Sequence, residues 1–238
     1  MLLFYIRHGD PIYDPDSLTP LGERQAEAVA KRLALFGMDE IYASTSNRAQ
    51  LTAKPTAELL KKEVQLLDFC NESHVWDEFA IDDGNGYGWI FHKPKFRRML
   101  ACAEVTMLCD RWYEYPEFQR YKFKEGVQRV NRELDGFIAG LGYEHDREQR
   151  VYRVVSHNDK RVALFAHQGF GISFLSSVLD IPYPIVADHF DMCHSGMTVI
   201  AFYNEDGIAI PKALTISNDS HIYREGLPMN YNNGGTGF

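Results

Sequence analysis

A chain of 238 residues, 45% hydrophobic and 24% charged, has the make-up of a water-soluble globular fold: one large α/β domain, or a domain carrying an insertion. Its formal net charge of −8 excludes a general electrostatic attraction to nucleic acid or to anionic membrane. Any phosphate the chain handles must therefore be held by local positive charge. No uninterrupted apolar span reaches membrane length and the amino terminus has no signal-peptide pattern, so the expected location is cytoplasmic. Cys70, Cys102, Cys109 and Cys193 show neither a CxxC pair nor regular disulfide spacing. They are expected to be buried or inert thiols in a reducing cytoplasm, and no zinc site is expected.

In chain order, "LLFYI" is an apolar, β-branched and aromatic run that predicts a short buried strand, with Arg7, His8 and Gly9 where it leaves the core. Gly9 would let the backbone turn sharply there. "DPIYDPDS" follows as a proline-punctuated loop. Thr19 and Pro20 then open a helix as N-cap and first residue, Ala26, Val29, Ala30 and Leu33 keep helical spacing, and Gly37 stops it. "EIYAS" predicts a second strand, "NRAQLTAKPTAELL" a helix that tolerates Pro55, and "VQLLDF" a third strand. This alternation is the pattern of a layered α/β fold.

Residues 91–150 break the rhythm. The stretch is aromatic and charged, with helical spacing clearest at Val127, Val130, Leu134, Phe137 and Leu141. It predicts two or more helices, either inserted over one end of the sheet or completing a helical layer of the core. The αβ pattern resumes with "RVALFA", a strand delivering His167, and "GFGISFLSSVL", a helix. "MTVIAFY" and "AIPKALTIS" predict two late antiparallel strands. The tail "NYNNGGTGF" is polar and glycine-rich and is expected to be mobile unless docked.

The chemistry lies in three segments: Arg7-His8-Gly9 after the first strand, Arg48 at the mouth of the helix after the second, and His167 at the end of a later strand. The carboxyl ends of strands in an α/β sheet are where ligands bind. If these strands are parallel neighbours, two histidines and two arginines share one pocket. Taken singly, each is an ordinary loop histidine or solvated arginine. Together they have no structural need for one another, and the two arginines repel unless an anion sits between them. A phosphoryl group meets that need, because guanidinium forks bind its oxygens bidentately.

The set "FYIRHGDP", "LTPLGERQAEAVAKRL", "IYASTSNRAQLTA" and "ALFAHQG", with the late "SNDSHI", resembles the histidine phosphatase superfamily, which includes phosphoglycerate mutases and phosphatases. The resemblance covers roughly residues 1–90 and 160–222, and not 91–150. It implies that His8 is the nucleophile that becomes phosphorylated. It assigns phosphoryl binding to Arg7, Arg48 and His167, and implies that a carboxylate lying between the second and third segments protonates the leaving oxygen. It implies no metal or organic cofactor in the phosphatase branch. The expected fold is a single three-layer α/β domain, residues 1–238. Its mostly parallel central sheet is flanked by helices, and the helical insertion at about 91–150 lies over the carboxyl edge.

"DFCNESHVWDEFAI" offers Glu72, Asp77 and Glu78 as the carboxylate. Members of the family the chain resembles often carry an Asn-Glu or Leu-Glu pair soon after the third strand, which favours Glu72 in "CNESH", with Glu78 in reserve. Gln168 departs from the small residue that usually follows the second histidine; its amide would bind a phosphate oxygen or the attacking water, or face elsewhere. The first loop, "RHGDPIYD", lacks residues common in mutases. The leading expectation is thus a metal-independent phosphomonoesterase for a small phosphorylated molecule, with a protonated His167 helping to hold the phosphoryl group. A phosphoglycerate mutase is the first alternative, its second anion gripped by Lys93, Lys95, Arg97 and Arg98. A non-catalytic phospho-ligand or protein-binding module is the second, disfavoured by the undamaged set of His8, Arg7, Arg48 and His167. Trp76, Trp89, Phe91, Trp112, Tyr113, Tyr115 and Tyr121 are expected mostly in the core, some of them lining a pocket or a homodimer interface.

Overall fold

The computed structural model of the chain describes residues 1–229; the glycine-rich tail lies outside them. Six strands form the central sheet: β1 (Leu2–Arg7), β2 (Glu40–Ser44), β3 (Val64–Leu67), β4 (Arg161–Ala166), β5 (Met197–Ala201) and β6 (Lys212–Asn218). Their order is β6-β5-β1-β4-β2-β3. β1, β4, β2 and β3 pair in parallel, and β5 runs antiparallel to both β1 and β6, as the two late strands were expected to do.

β1 and β4 are apolar on both faces because helices cover both. Phe4, Ile6, Ala163 and Phe165 face α1 (Pro20–Phe36) and α2 (Asn47–Leu60), packing with Val29, Leu33 and Ala53. Leu3, Tyr5 and Leu164 face the other layer. That layer holds α3 (Glu72–Phe79), α4 (Pro94–Leu100), α5 (Ala103–Thr106), α6 (Phe123–Gly140), α7 (Gln168–Leu179) and α8 (Tyr183–His189). A short last helix, α9 (Ser220–Arg224), rests on α1 through Ile222 and Ala28. The predicted starts hold: Thr19 caps α1 by accepting from the Gly22 N–H, and Pro55 is carried inside α2. Gly9 serves another purpose than a sharp turn. A Cβ there would lie 2.6 Å from the Gly22 carbonyl oxygen, so glycine is what lets the loop after β1 touch the start of α1.

The segment 91–150 joins the second helical layer. Trp112, Phe118, Phe123, Val130, Leu134 and Ile138 are buried in the same core as Tyr5, Phe170 and Phe174. Its last part is not helical. Tyr143–Asp146 pairs antiparallel with Val151–Val154, and Ile208–Ala209 adds a third strand to that small sheet. The run "AIPKALTIS" is thereby divided: Ala209 belongs to the small sheet and β6 begins at Lys212, beyond Pro211, which has no N–H to give a ladder. Two further hairpins, Pro11–Tyr13 with Asp16–Leu18 and Ala80–Asp82 with Tyr87–Trp89, reach towards the carboxyl edge of the sheet.

α3 and α6 are in tight contact at Gly126, where a Cβ would lie 2.6 Å from the Phe79 ring and 2.8 Å from Glu78 Cβ. Gly126→Ala gains helix propensity but overpacks this crossing, so a net loss of about 1–2 kcal/mol is expected in urea unfolding.

Candidate active site

The register of β1 and β4 builds the site. Arg7 pairs with Ala166, so the next residues, His8 and His167, emerge side by side, and the His8 N–H donates to the Ala166 carbonyl at 2.9 Å. Their ring centroids are 5.2 Å apart and both side chains are buried. His8 Nδ1 lies 2.7 Å from the Gly9 carbonyl oxygen, which can only accept. Nδ1 therefore carries the proton, and Nε2 presents its lone pair. Burial, then His167, Arg7 and Arg48, push the His8 pKa well below its ordinary 6.5, so the ring is neutral at pH 7.

α2 brings Arg48. Its guanidinium donates to Asp16 Oδ1 at 2.8 Å and to Glu72 Oε2 at 3.1 Å, and it faces His167 Nδ1 at 3.2 Å. Because arginine only donates, His167 Nδ1 accepts, and Nε2–H points to Ser44 Oγ at 2.9 Å. Burial, Arg48 and Arg7 lower the His167 pKa well below 6.5. This corrects the expectation of a protonated ring: an imidazolium here needs a phosphoryl dianion beside it to offset two guanidinium groups.

The structure separates the three carboxylate candidates. Glu72 opens α3, and its Oε1 accepts the Gly169 N–H in the first turn of α7 at 2.9 Å. Its Oε2 is 3.5 Å from His167 Nδ1. Glu78 lies on another face of α3, held bidentately by Arg129 of α6 at 2.6 and 2.7 Å, and Asp77 is exposed. Gln168 is also placed away from the expected role, since its side-chain amide donates to Asp191 Oδ1. In the basic cluster, Lys93 bonds Asp83 at 3.0 Å and Arg97 bonds Asp188 at 3.3 Å, while Lys95 and Arg98 are exposed.

Arg7 is positioned by residues the sequence reading passed over. It donates to the Met192 carbonyl oxygen and contacts His194 Nε2 at 2.8 Å, while His194 Nδ1 lies 3.3 Å from Asp10. Burial and Arg7 push the His194 pKa down to about 3, so the ring accepts from Arg7 rather than repelling it. No local motif marks His194. The available signal was topological: β5 runs antiparallel to β1, so the residues just before β5 return to the edge where β1 ends.

Among the described residues, His8, Glu72 and His167 offer ligand atoms within 4.8 Å of one another, close enough to hold a metal ion. Arg48 already engages Glu72 Oε2 and His167 Nδ1, the atoms such an ion would need, so the charge pattern suits an anion. Beside this group a cleft of about 820 Å³ opens, sharing Arg48 and Glu72 with it and walled by Tyr13, Trp76 and Trp89. The aromatic residues thus divide: Phe91 and Trp112 are buried, whereas Trp76 and Trp89 face the cleft.

Four histidines, His8, His167 and His221 buried and His194 partly so, make the fold acid-sensitive. His8 and His167 are lowered well below 6.5, His194 to about 3 and His221 to about 4, in each case chiefly by burial. Unfolding exposes rings that protonate near pH 6.5, so the unfolded chain binds more protons and stability falls as pH drops below that value. His145 opposes this. Against burial, Asp135 and Asp180 raise its pKa, and its contribution is present below 6.5 and lost above its folded value. At about 2 kcal/mol for each lowered histidine, less under about 1 kcal/mol returned by His145, the net expectation is a loss on the order of 6–7 kcal/mol between pH 7 and pH 5, read by urea titration.

The sequence profile of the histidine phosphatase superfamily (branch 1) matches residues 3–78. Phosphoserine phosphatase 1 of Hydrogenobacter thermophilus is 27% identical over 154 residues, a match spanning 65% of this chain and 64% of that protein's length. A phosphoserine phosphatase from Entamoeba histolytica, solved with 3-phosphoglyceric acid, superposes with a TM-score of 0.58 at 19% identity, covering 93% of this chain and 98% of the other. A mycobacterial glucosyl-3-phosphoglycerate phosphatase solved with VO3 gives 0.57 at 16% identity over 92% and 99%. At these identities the solved structures speak for the fold. The family profile thus lies on the first three strands, and the fold of these phosphatases extends over nearly the whole chain.

Proposed function

We propose that the protein is a phosphomonoesterase that hydrolyses a small phosphorylated molecule through a phosphohistidine on His8, with no metal taking part. The observation that carries this reading is a neutral His8 whose Nε2 is left with its lone pair by the Nδ1 contact to Gly9, set among Arg7, Arg48 and His167. The named activities of the similar proteins agree with phosphate-ester chemistry in general.

In the first step Nε2 attacks phosphorus and the bond to the ester oxygen breaks. The Nδ1–H bond to Gly9 spreads the positive charge that develops on the ring. Arg7 and Arg48 stabilise the equatorial oxygens, as phosphoryl transfer requires. Glu72 acts as the general acid and gives a proton to the departing oxygen. In the second step Glu72, now a carboxylate, takes a proton from water, which attacks phosphorus as the P–N bond breaks. Orthophosphate leaves and His8 returns neutral. The Gly169 N–H holds Oε1, and Oε2, which accepts from Arg48, exchanges the proton once Arg48 turns to the phosphoryl group. Four unpaired cysteines, two of them buried, support a reducing, cytoplasmic setting. Among the described residues no helix is long and apolar enough to cross a membrane.

Hydrolysis of p-nitrophenyl phosphate by protein dialysed against chelator tests the reading. Turnover equal to that of the untreated protein is expected; turnover that vanishes with chelator and returns with a divalent ion would overturn it.

A further inference from the structure

The phosphoryl site accounts for one end of the cleft only. Arg48 and Glu72 form that end, and beyond them the walls are Tyr13, Trp76 and Trp89, with Asp16 the other charged group. The remaining lining side chains are neutral hydroxyls and amides, and no lysine or second arginine is among them. At about 820 Å³ the cleft falls within the range of about 300–1,000 Å³ that encloses drug-sized ligands, well beyond the need of a three-carbon acid.

The aromatic walls are held in place. Trp89 and Trp76 meet at 90° with centroids 4.8 Å apart. Phe91 stacks behind Trp89 at 14°, and Trp89 rests on the first turn of α7, where a Cβ on Gly169 would lie 2.4 Å from the indole. Two perpendicular indoles make a corner in which a ring can lie face-on to one and edge-on to the other. The electrostatics run the same way. Once Arg48 binds the phosphoryl group, a second anion on the substrate would meet the Asp16 carboxylate, with no further cation among the described lining residues to hold it. The cations suited to gripping it are occupied or outside: Lys93 is on Asp83, Arg97 is on Asp188, and neither lines the cleft.

We infer that the leaving-group chamber selects phosphate monoesters whose alcohol half carries a planar ring and no second anionic group, with Trp76 and Trp89 as its specificity residues. This rests on the phosphatase reading for the site that the chamber serves. It makes O-phosphoserine and phosphoglycerate poor ligands.

Three primary-alkyl monoesters separate the terms without changing the leaving group's class: 2-phenylethyl phosphate, glycerol 1-phosphate and O-phosphoserine. Equilibrium binding to the His8→Ala protein keeps the test independent of turnover. The ring-bearing ester is expected to bind about 10- to 100-fold tighter than either of the others. Trp89→Ala and, separately, Trp76→Ala are each expected to erase about 10-fold of that preference while leaving glycerol 1-phosphate within about 2-fold. O-Phosphoserine binding as tightly as the phenylethyl ester would overturn the inference, as would tryptophan variants that weaken all three esters equally. Selective binding with no turnover by the wild-type protein would uphold the chamber's specificity and count against the phosphatase reading instead.

Discussion

Replacing His8 with alanine is expected to remove turnover, lowering kcat by about 10⁴-fold or more on every phosphate ester, activated or not. The reason is the bond to phosphorus that the proposed mechanism assigns to the residue. Arg7, Arg48 and His167 can bind and polarise a phosphoryl group without His8, but none of them can accept it in its place. The two arginines stay protonated. His167 directs Nε2 at Ser44 and Nδ1 at Arg48, which leaves it no nitrogen free for phosphorus. The substitution deletes one side-chain hydrogen bond, to the adjacent carbonyl of Gly9, and a neutral ring. The fold is therefore expected to survive, with urea stability at pH 7 changed by no more than about 2 kcal/mol. A His8→Ala protein that keeps a tenth of wild-type activity would place the nucleophile elsewhere.

Glu72→Gln is expected to lower kcat for alkyl phosphates by about 10²- to 10⁴-fold. The variant keeps an oxygen for the Gly169 N–H but cannot move a proton. With p-nitrophenyl phosphate the two steps come apart. Nitrophenolate leaves without a proton, so a burst of about one equivalent per site should precede slow turnover, because breakdown of the phosphohistidine still lacks its base. Glu78→Gln is the contrasting change. It strips Arg129 of its bidentate partner in a half-buried setting, costing about 1–3 kcal/mol of stability with kcat unchanged. Equal kinetic losses in the two variants would remove Glu72 from its assigned role.

What could be read in the sequence was what lies beside regular structure. Arg7 and His8 follow an apolar strand, Arg48 follows a helix start, and His167 ends another strand. Parallel pairing of β1, β4 and β2 is all that was needed to bring them together. The fold class followed from the same alternation. Residues 143–154 were less legible, because a hairpin of two four-residue strands carries little periodicity against a preceding helix of eighteen residues. Gln168 was a candidate for phosphate because it directly follows the second histidine, but Asp191, 23 residues further along the chain, takes its amide. His194 was missed for a related cause: its partners Arg7 and Asp10 reach it only through the return of the chain before β5. Trp76 and Trp89 are aromatic residues like Trp112 in the sequence, but α3 and the hairpin of residues 80–89 place them on the cleft while Trp112 fills the core.

The central claim is a covalent bond between His8 and phosphorus, and the most direct test is to trap it. Wild-type protein would be mixed with excess p-nitrophenyl phosphate, quenched in alkali within the first turnover, digested and mapped by mass spectrometry. The account predicts phosphate on His8 approaching one equivalent per chain, stable in alkali, released in acid and absent from the His8→Ala protein. Steady hydrolysis with no protein-bound phosphate at any quench time, or the label on another residue, would contradict it.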